Sequence, residues 1–587
     1  MGSMEKFDLL VVGAGFHGLI MAKTFLQVNP DAKLLVVDQA QSLGGSWAKE
    51  RLYPGLKTNN IFGTYEFSDF PMIPERYGAA PVGHIPGPVV HEYLCDMARH
   101  YSIDSCLRLK TKVDSAKLED NGTWTIQLRP VDQPRSPFTT VAATKLVIAS
   151  GRTSEPNVPK FLGQEFFGGR ILHSKQLKSQ MGSLSSGDNV VVLGGNKSSW
   201  DACYGAAQSG CRVHMVMRPS GGGPSYLWPR SFSWGPLQLS LGKLSATRMY
   251  TLFDPTLFGN DGPFHSFRYF LHRTSIGQKI CQWFWNSLDA HIRKIQDYSN
   301  HPEIRNLEPW TTPFWMGNSL SIHNYDTNWF DLVVEGRITV HIAEVDSLSE
   351  GKVHLSNGEN LCADALVCCT GWKIDPPVRF DPPHISSCIT LPEKSEEIDL
   401  DIKMASEDLR RQRNFLSTLR HRTSNAPEVP PHSTRARPSC SYQLHRMVVP
   451  CNRELLDNKA LAFIGLHSSV HAAIVAQAQA LWITAFFGDK IGNMKTPNTN
   501  FEHLRYSTVL QSVYERTRRP KDTGGAAGRY PDLVFDSVPY VDTLLRDLGV
   551  EPKRKKSWLK EFTQPYTPLD YKGLVDEWSQ KIMNHSA

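Results

Sequence analysis

Residues 7–19 read FDLLVVGAGFHGL, a short apolar run that leads directly into the glycine pattern G-x-G-x-x-G. This pattern is typical of a dinucleotide-binding βαβ unit when it follows a strand, opens a helix and precedes an acidic residue by about twenty positions. These conditions are met, because residues 19–26 are helical in character and Asp38 ends a second apolar run at residues 33–37. The sequence therefore predicts a Rossmann-like unit that starts almost at residue 1.

Each glycine of the pattern has a physical role. Gly13 permits the tight turn, Gly15 lets the backbone approach a pyrophosphate, and Gly18 allows the helix to pack closely on the strand. The partial positive charge of the helix N-terminus then faces the phosphates. We expect Asp38 to accept hydrogen bonds from ribose hydroxyls.

A second βαβ unit is predicted from residue 189, where NVVVLGGNKSSW precedes a helix at about 198–209 and a strand at 212–217. Gly194, Asn196 and Ser199 stand where three glycines are usual. Asparagine tolerates left-handed backbone and serine is small, so we expect the loop still to hold a pyrophosphate, with Lys197 adding positive charge. Arg218 follows the strand where an NAD-binding protein carries an acid, which favours NADPH over NADH. The alternative for Arg218 is a solvated surface arginine.

Several further segments resemble one family. They are Gly44-Gly45-Ser46-Trp47, Thr58-Asn59, Ala149-Ser150-Gly151, the FxGxxxH match from Phe167 to His173, and Cys369-Thr370-Gly371. Together with the two glycine loops they resemble the flavin-containing monooxygenases and their Baeyer–Villiger relatives, the class B flavoprotein monooxygenases. The variant second loop is most similar to that of fungal secondary-metabolite members.

The resemblance implies roles for individual residues. The first loop would hold FAD and the second NADPH, with Gly45 and Trp47 near the flavin. Thr58 and Asn59 would lie close to the flavin's reactive carbon, which makes Asn59 the candidate catalytic residue. Gln479 would lie on a helix that closes over the flavin. Trp47 as a core aromatic and Asn59 as a turn residue remain alternatives.

The resemblance also implies a reaction. NADPH would reduce FAD, the reduced flavin and oxygen would form a flavin 4a-peroxide, and one oxygen atom would enter a small, largely apolar organic substrate. The aromatic segment at residues 224–290 favours a sizeable apolar molecule, such as a secondary-metabolite intermediate. Leu177 stands where the flavin-containing branch has tyrosine and the Baeyer–Villiger branch tryptophan. Hydroxylation, epoxidation, heteroatom oxidation and Baeyer–Villiger oxidation of a ketone therefore remain open.

The expected fold class is α/β, with two Rossmann-like dinucleotide-binding domains and the FAD domain discontinuous in sequence. We expect its first part at residues 1–165 and its second at 345–488, with a charged insertion at about 390–440. The NADPH domain is expected at residues 166–344, with an aromatic-rich insertion at about 220–330. Residues 489–587 form a C-terminal extension. An Asn357-Gly358 pair between two apolar runs predicts a hairpin.

Composition excludes several other classes. The net charge of +6 is diffuse, which argues against nucleic acid, and the eleven cysteines contain no CxxC pair. We therefore expect no metal site and no dithiol of the kind that a flavin disulfide reductase needs. A non-catalytic nucleotide-sensing flavoprotein and an N-hydroxylase of amino-acid side chains remain as rivals.

The expected location is the cytoplasm, because no secretory signal pattern is present. Residues 460–488 are apolar but are interrupted by histidine, serine and glutamine, which predicts a buried strand and helix rather than a membrane span. The sequence leaves the oligomeric state open.

Overall fold

The strand expected at residues 7–12 extends over Glu5–Val12 and lies inside an eight-stranded mixed sheet. It pairs in parallel with the strands Leu34–Val37 and Thr139–Ile148. The other strands of this first sheet are Leu107–Arg108, Thr111–Leu118, Trp124–Pro130, Arg379–Asp381 and Leu461–Phe463. The computed structural model describes residues 4–81, 83–229, 232–234, 237–259, 264–315, 320–374, 376–389, 396–412, 427, 442–494, 500–518 and 530–586.

The second sheet has five parallel strands, with Asn189–Leu193 at its centre. The flanking strands are Arg170–His173, Arg212–Met217, Ile338–Ile342 and Ala365–Cys368. Two doubly wound parallel cores of this kind confirm the expected α/β fold class. Because strands from residues 139–148 and 461–463 pair in one sheet, the first unit is discontinuous in sequence.

One expected boundary differs from the structure. Residue 345 was the predicted start of the return to the first unit, but Ala365–Cys368 belongs to the second sheet. The hairpin predicted at Asn357-Gly358 is present between Lys352–Leu355 and Asn360–Cys362 and joins Val345–Ser349 in a small antiparallel sheet. Leu348, Val353 and Leu361 of that sheet pack on Val191 and Leu193. The apolar face of the hairpin thus keeps the chain on the second unit until about residue 368.

Residues 460–488 form a strand and a helix, as predicted. The strand Leu461–Phe463 leads to the helix Ala472–Phe487, which is buried over almost its whole length. This helix packs on Phe16–Val28 and on Ser537–Asp547, and the C-terminal helix Leu574–Ser586 also packs on Phe16–Val28. Among the described helices, none combines the length and the apolar character needed to cross a bilayer.

The aromatic middle of the chain forms a core of its own with later residues. Trp228, Tyr250 and Trp285 are buried and pack with Tyr514 and Phe535. The guanidinium of Arg518 bridges Asp254 and Asp536 at 2.5 and 2.9 Å, with no side chain of the three exposed. Most of the described aromatic residues of this segment serve the packing of this second core, and their relation to a substrate stays a prediction.

The charged insertion contains the helix Glu396–Gln412, as expected, but the helix is not wholly solvated. Its residues Ala405 and Leu409 are buried against the aromatic core, and Asp401 pairs with Arg505 at 2.9 Å. The part of the insertion that follows this helix contains several prolines. It lies mostly outside the described residues, at 413–426 and 428–441.

The remaining described elements connect these layers. The other α-helices are Gly87–His100, Leu177–Met181, Lys197–Gln208, Leu241–Leu244, Arg248–Thr251, His265–Arg273, Ser275–Gln296, Pro302–Arg305, Asp331–Val334, His384–Ile389, Arg453–Asn458, Phe501–Arg518 and Trp558–Thr563. Short strand pairs join Lys57–Ile61 to His84–Pro86, Tyr226–Trp228 to Leu320–Ile322, Phe232–Trp234 to Leu237–Leu239, and Leu444–His445 to Val449–Pro450.

Candidate dinucleotide and oxygenation site

A cleft of about 790 Å³ runs from the first glycine loop to the beginning of the helix Lys197–Gln208. Its volume lies within the range of about 300–1,000 Å³ typical of small-molecule and cofactor sites. Eight of the residues predicted from sequence line it. They are Gly13, Gly15, Asp38, Gly45, Trp47, Thr58, Asn59 and Lys197.

The first glycine loop has the geometry that its sequence predicts. Gly13 has a φ of +116°, and a Cβ there would lie 2.4 Å from the Ala149 carbonyl oxygen. A Cβ on Gly18 would lie 1.9 Å from the Gly13 carbonyl oxygen, so helix and strand meet with no room for a side chain. Gly15 differs, because a Cβ there would make only an ordinary contact of 3.5 Å. The protein's own packing does not require glycine at position 15, whereas a ligand approaching the backbone would.

Asp38 is held at the edge of the cleft by two backbone amides. Its Oδ2 accepts from the Ala14 N–H at 2.7 Å and its Oδ1 from the Ala40 N–H at 2.8 Å. A carboxylate can accept about four hydrogen bonds. Asp38 therefore retains acceptor capacity toward the cleft, as recognition of ribose hydroxyls requires.

The GGxW segment approaches the first loop closely. The Gly44 N–H donates to the Ala14 carbonyl at 2.8 Å, and a Cβ on Gly45 would lie 3.0 Å from the Gly15 Cα. The Trp47 indole donates to the Tyr65 hydroxyl at 2.9 Å. This hydrogen bond fixes the indole ring at the wall of the cleft.

Thr58 and Asn59 have different roles. Thr58 is buried and organises the backbone, since its hydroxyl donates to the Asn60 carbonyl at 2.6 Å and accepts from the Ile85 N–H at 3.1 Å. The Asn324 amide, from the aromatic-rich insertion, donates to the Thr58 carbonyl at 3.1 Å. The Asn59 side chain lines the cleft and has no hydrogen-bond partner among the described residues. Its amide is therefore available to a bound molecule.

The second glycine loop repeats the backbone geometry of the first. Gly194 has a φ of +137°, and a Cβ there would lie 2.7 Å from the Cys369 carbonyl oxygen. Asn196 is exposed at the N-cap of the helix Lys197–Gln208, with extended rather than left-handed backbone. Ser199 is buried, and its hydroxyl donates to the Asn196 carbonyl at 2.5 Å. The serine thus fits beneath the loop, as predicted, whereas the expected left-handed conformation of Asn196 is not observed.

The expected role of Lys197 is corrected by the structure. Its ammonium lies 2.5 Å from Asp201 and 3.0 Å from the Tyr325 hydroxyl. Asp201 also accepts from the hydroxyls of Tyr53 and Tyr325 at 2.7 and 2.8 Å. Because a carboxylate already neutralises it, Lys197 does not offer a free charge to phosphates in this conformation.

Arg218 and Gln479 lie away from the cleft lining, as do Gly18, Gly194, Asn196 and Ser199. Arg218 directly follows the strand Arg212–Met217 and has an exposed side chain. Gln479 is fully buried. It accepts from the Gly465 N–H at 3.3 Å and donates to the Tyr540 hydroxyl at 2.8 Å. Both ends of its amide are thus hydrogen-bonded within the protein, and its contact with a cofactor stays a prediction.

The polar residues of the cleft that sequence reasoning missed include His17, Arg152 and His467. The two imidazole rings lie 5.6 Å apart, edge to face. Burial, with a smaller effect from the nearby charge of Arg152, lowers the pKa of His17 to about 4. Burial also lowers the pKa of His467 well below its usual value. Both rings are therefore neutral at pH 7. The position of His17 inside the first glycine pattern was the available signal.

His173 of the FxGxxxH segment is hydrogen-bonded through both ring nitrogens. Its Nδ1 accepts from the Lys175 N–H at 3.1 Å, and its Nε2 lies 2.9 Å from the Gly371 carbonyl oxygen. The two segments that link the sheets run side by side there, and Pro156 and Trp372 form an antiparallel bridge. No cluster of three or more potential metal ligands occurs in the described part of the chain.

These features define a class: a protein with two dinucleotide-binding units and one cleft that runs from the first glycine loop to the first turn of the helix after the second. Residues 10–226 match the family model for pyridine nucleotide-disulphide oxidoreductases. The FAD-dependent monooxygenase rstn6 of Aspergillus nomiae is 33% identical, over 97% of this chain and 98% of its own. An FAD-dependent monooxygenase of Pyrenophora dematioidea is also 33% identical, over 94% and 100%.

The fold has a counterpart among solved structures. Cyclohexanone monooxygenase from Rhodococcus sp. Phi1, bound to NADP⁺, is 15% identical, with a TM-score of 0.60 over 93% of this chain and 98% of that one. The full-length sequence relatives decide the family. This chain belongs to the FAD-dependent monooxygenases.

Proposed function

We propose that this enzyme uses NADPH to reduce FAD and inserts one atom of molecular oxygen into a small, largely apolar organic substrate. The observation that carries the proposal is the continuous cleft, which links the loop at Gly15, the free amide of Asn59 and the first turn of the helix Lys197–Gln208. A donor nucleotide at the second loop would thereby share one enclosed space with a flavin at the first.

The residues fit FAD in the first loop. A helix N-terminus, a glycine that only a ligand requires and a carboxylate with spare acceptor capacity are the groups that a dinucleotide needs. When bound, the flavin supplies the redox and oxygen chemistry that amino-acid side chains lack. The chain's own task is to position that ring and to exclude water.

We propose that Asn59 contacts the reacting atoms. Its amide would donate to an oxygen atom of the reacting group, while the buried hydroxyl of Thr58 fixes the strand Lys57–Ile61 that carries Asn59. The neutral imidazoles of His17 and His467 would add polarity without charge. Arg218 would recognise the 2′-phosphate of NADPH, since it is a flexible, exposed cation at the strand end where that phosphate is read.

The experiment measures oxygen consumption and product mass for the purified enzyme with NADPH and three probes: methyl phenyl sulfide, indole and cyclohexanone. Labelled ¹⁸O₂ should add one labelled oxygen atom to a probe, and NADPH should be preferred to NADH. A lactone from cyclohexanone alone would identify Baeyer–Villiger chemistry. NADPH consumption without label in any probe, or no NADPH consumption at all, would contradict the proposal as stated.

A further inference from the structure

An exposed apolar surface lies on the helix pair His265–Arg273 and Ser275–Gln296, outside the cleft. It consists of Phe267, Phe270, Ile276, Ile280 and Trp283, together with Trp558 and Leu559 of the helix Trp558–Thr563, and is called here the aromatic face. Ile276 is 67% exposed, Trp283 63% and Trp558 67%. Large contiguous apolar surfaces are uncommon on soluble monomers and mark interaction sites.

The helices that carry the aromatic face are joined at two points. A Cβ on Gly277 would lie 2.1 Å from the Phe270 carbonyl oxygen, so the two helices cross in direct backbone contact. The third helix is joined to them by the stacking of Phe264 on Phe562, with ring centroids 5.9 Å apart. Phe562 in turn stacks on Trp558 at 5.7 Å.

The long helix Ser275–Gln296 already has a buried apolar face, so these exposed apolar residues are additional to those that its packing requires. The long helix buries Cys281, Phe284, Trp285, Leu288 and Ile292 on its inner face. Ile276, Ile280 and Trp283 follow at helical spacing on the opposite face. A helix that needed only one apolar side would carry polar residues there.

Within the described segments 265–296 and 558–563, the fully exposed charged side chains are all positive. Arg273, Lys279 and Lys294 are exposed on the helix pair, and Lys556 and Lys560 on or beside the third helix. In residues 265–296 the only carboxylate is Asp289, which turns inward to Arg293 at 3.0 Å. In residues 558–563 the only carboxylate is Glu561, which is buried against Arg248 at 2.5 Å.

We propose that the aromatic face docks on the surface of an anionic lipid bilayer, without spanning it. Tryptophan and phenylalanine favour the membrane interface, and unneutralised lysines and arginines beside them are attracted to acidic headgroups. The positive charges on these helices favour an anionic bilayer over a second copy of the chain, because a second copy would bring the same cations into mutual repulsion. The inference stands apart from the proposed oxygenation, since it concerns a surface outside the cleft.

The test is co-sedimentation of the full-length holoenzyme with phosphatidylcholine vesicles, with and without one quarter phosphatidylserine. Binding should be strong only with phosphatidylserine and should weaken with salt. Arg273→Gln with Lys279→Gln should lower the partition coefficient by about fivefold for each charge removed. Ile276→Ser with Trp283→Ser should lower it at least about tenfold.

The matched control is Leu162→Ser with Phe166→Ser, which removes two exposed apolar residues elsewhere, 76% and 69% exposed. It should bind like the unmodified enzyme, and every variant should keep its flavin absorbance. Three results would overturn the proposal. They are wild-type protein that stays in the supernatant with both vesicles, equal loss in the control, and a dimer in light scattering that only the Ile276 and Trp283 variant abolishes.

Discussion

The Tyr53 hydroxyl donates a hydrogen bond of 2.7 Å to the Asp201 carboxylate, across 148 positions of sequence. Tyr53 belongs to the first unit and Asp201 to the first helix of the second. The same carboxylate binds Lys197 and Tyr325. One acidic side chain therefore ties together the flavin unit, the second glycine loop and the aromatic-rich insertion at the mouth of the cleft.

Tyr53→Phe should lower the free energy of unfolding by about 1.5–3 kcal/mol, the usual value of a hydrogen bond to a charged group. Chemical denaturation followed by circular dichroism measures it. Tyr204→Phe is the matched control, because the Tyr204 hydroxyl faces the neutral Thr327 hydroxyl at 2.9 Å and should lose less. Equal losses would contradict a charged partner for Tyr53.

Gly15→Trp should abolish FAD binding, because the new side chain would occupy the place of the pyrophosphate. The purified variant should lack the flavin absorbance band while remaining folded, since the local packing tolerates a Cβ at this position. Gly182→Trp is the control, at an exposed site with φ of −67° and open space around it. A folded Gly15→Trp variant that stays fully yellow would refute the assignment of the first loop.

Arg218→Ala should weaken NADPH binding by about tenfold to a hundredfold and NADH binding little, because a charge-assisted hydrogen bond contributes about 1.5–3 kcal/mol. Steady-state KM values for both coenzymes measure it. Arg212→Ala removes an exposed arginine from the opposite end of the same strand and should change neither. Equal loss for both coenzymes in Arg218→Ala would exclude recognition of the phosphate.

Asn59→Leu should keep FAD and NADPH oxidation but release hydrogen peroxide in place of oxygenated product. The Asn59 amide serves no described protein partner, so its loss should not unfold the chain. Asn60→Leu is the contrasting variant, because the Asn60 amide donates to the Val470 carbonyl at 2.7 Å and its loss should destabilise the fold. A peroxide assay and product analysis decide. Unchanged coupling in Asn59→Leu would exclude Asn59 from the reaction.

His471 makes stability depend on pH. Burial lowers the pKa of His471 from its ordinary value of 6.5 to about 4, so the unfolded chain binds a proton more readily than the native one. Stability is therefore full above about pH 6.5 and falls as the pH drops toward 4, by about 2 kcal/mol between pH 7 and 5 for this residue alone. His471→Gln should remove that part of the slope in denaturation at both pH values. The exposed His503→Gln should not, and an unchanged slope in His471→Gln would contradict the assignment.

The regular parts of the fold were predictable because their signals are local. The run at 7–12, the second strand at 212–217 and the Asn357-Gly358 turn each carry their own periodicity or turn chemistry. The end of the second unit could not be predicted from sequence. The strand Ala365–Cys368 is assigned to that unit only by its pairing with Asn189–Leu193, far away in sequence. Sheet partners cannot be read from a short apolar run.

The candidate site was predictable to a similar degree. Backbone roles such as those of Gly13 and Gly18 follow from conformation and were found. The protein partners of Lys197 and Gln479, which are Asp201 and Gly465 with Tyr540, could not be predicted, because they are set by tertiary packing. Arg152 had no local signal at all.

The paired linkers at Pro156 and Trp372 have a topological consequence. The Asn157 N–H donates to the Gly371 carbonyl at 3.0 Å and the Lys373 N–H to the Glu155 carbonyl at 2.9 Å. The chain thus enters and leaves the second dinucleotide-binding unit at the same place, where the two linking segments lie at strand-pairing distance. Grafting that unit into a host, or cutting it out and rejoining the ends with a short turn, would require almost no extra loop. Nature could have assembled such an enzyme by inserting one nucleotide-binding module into another.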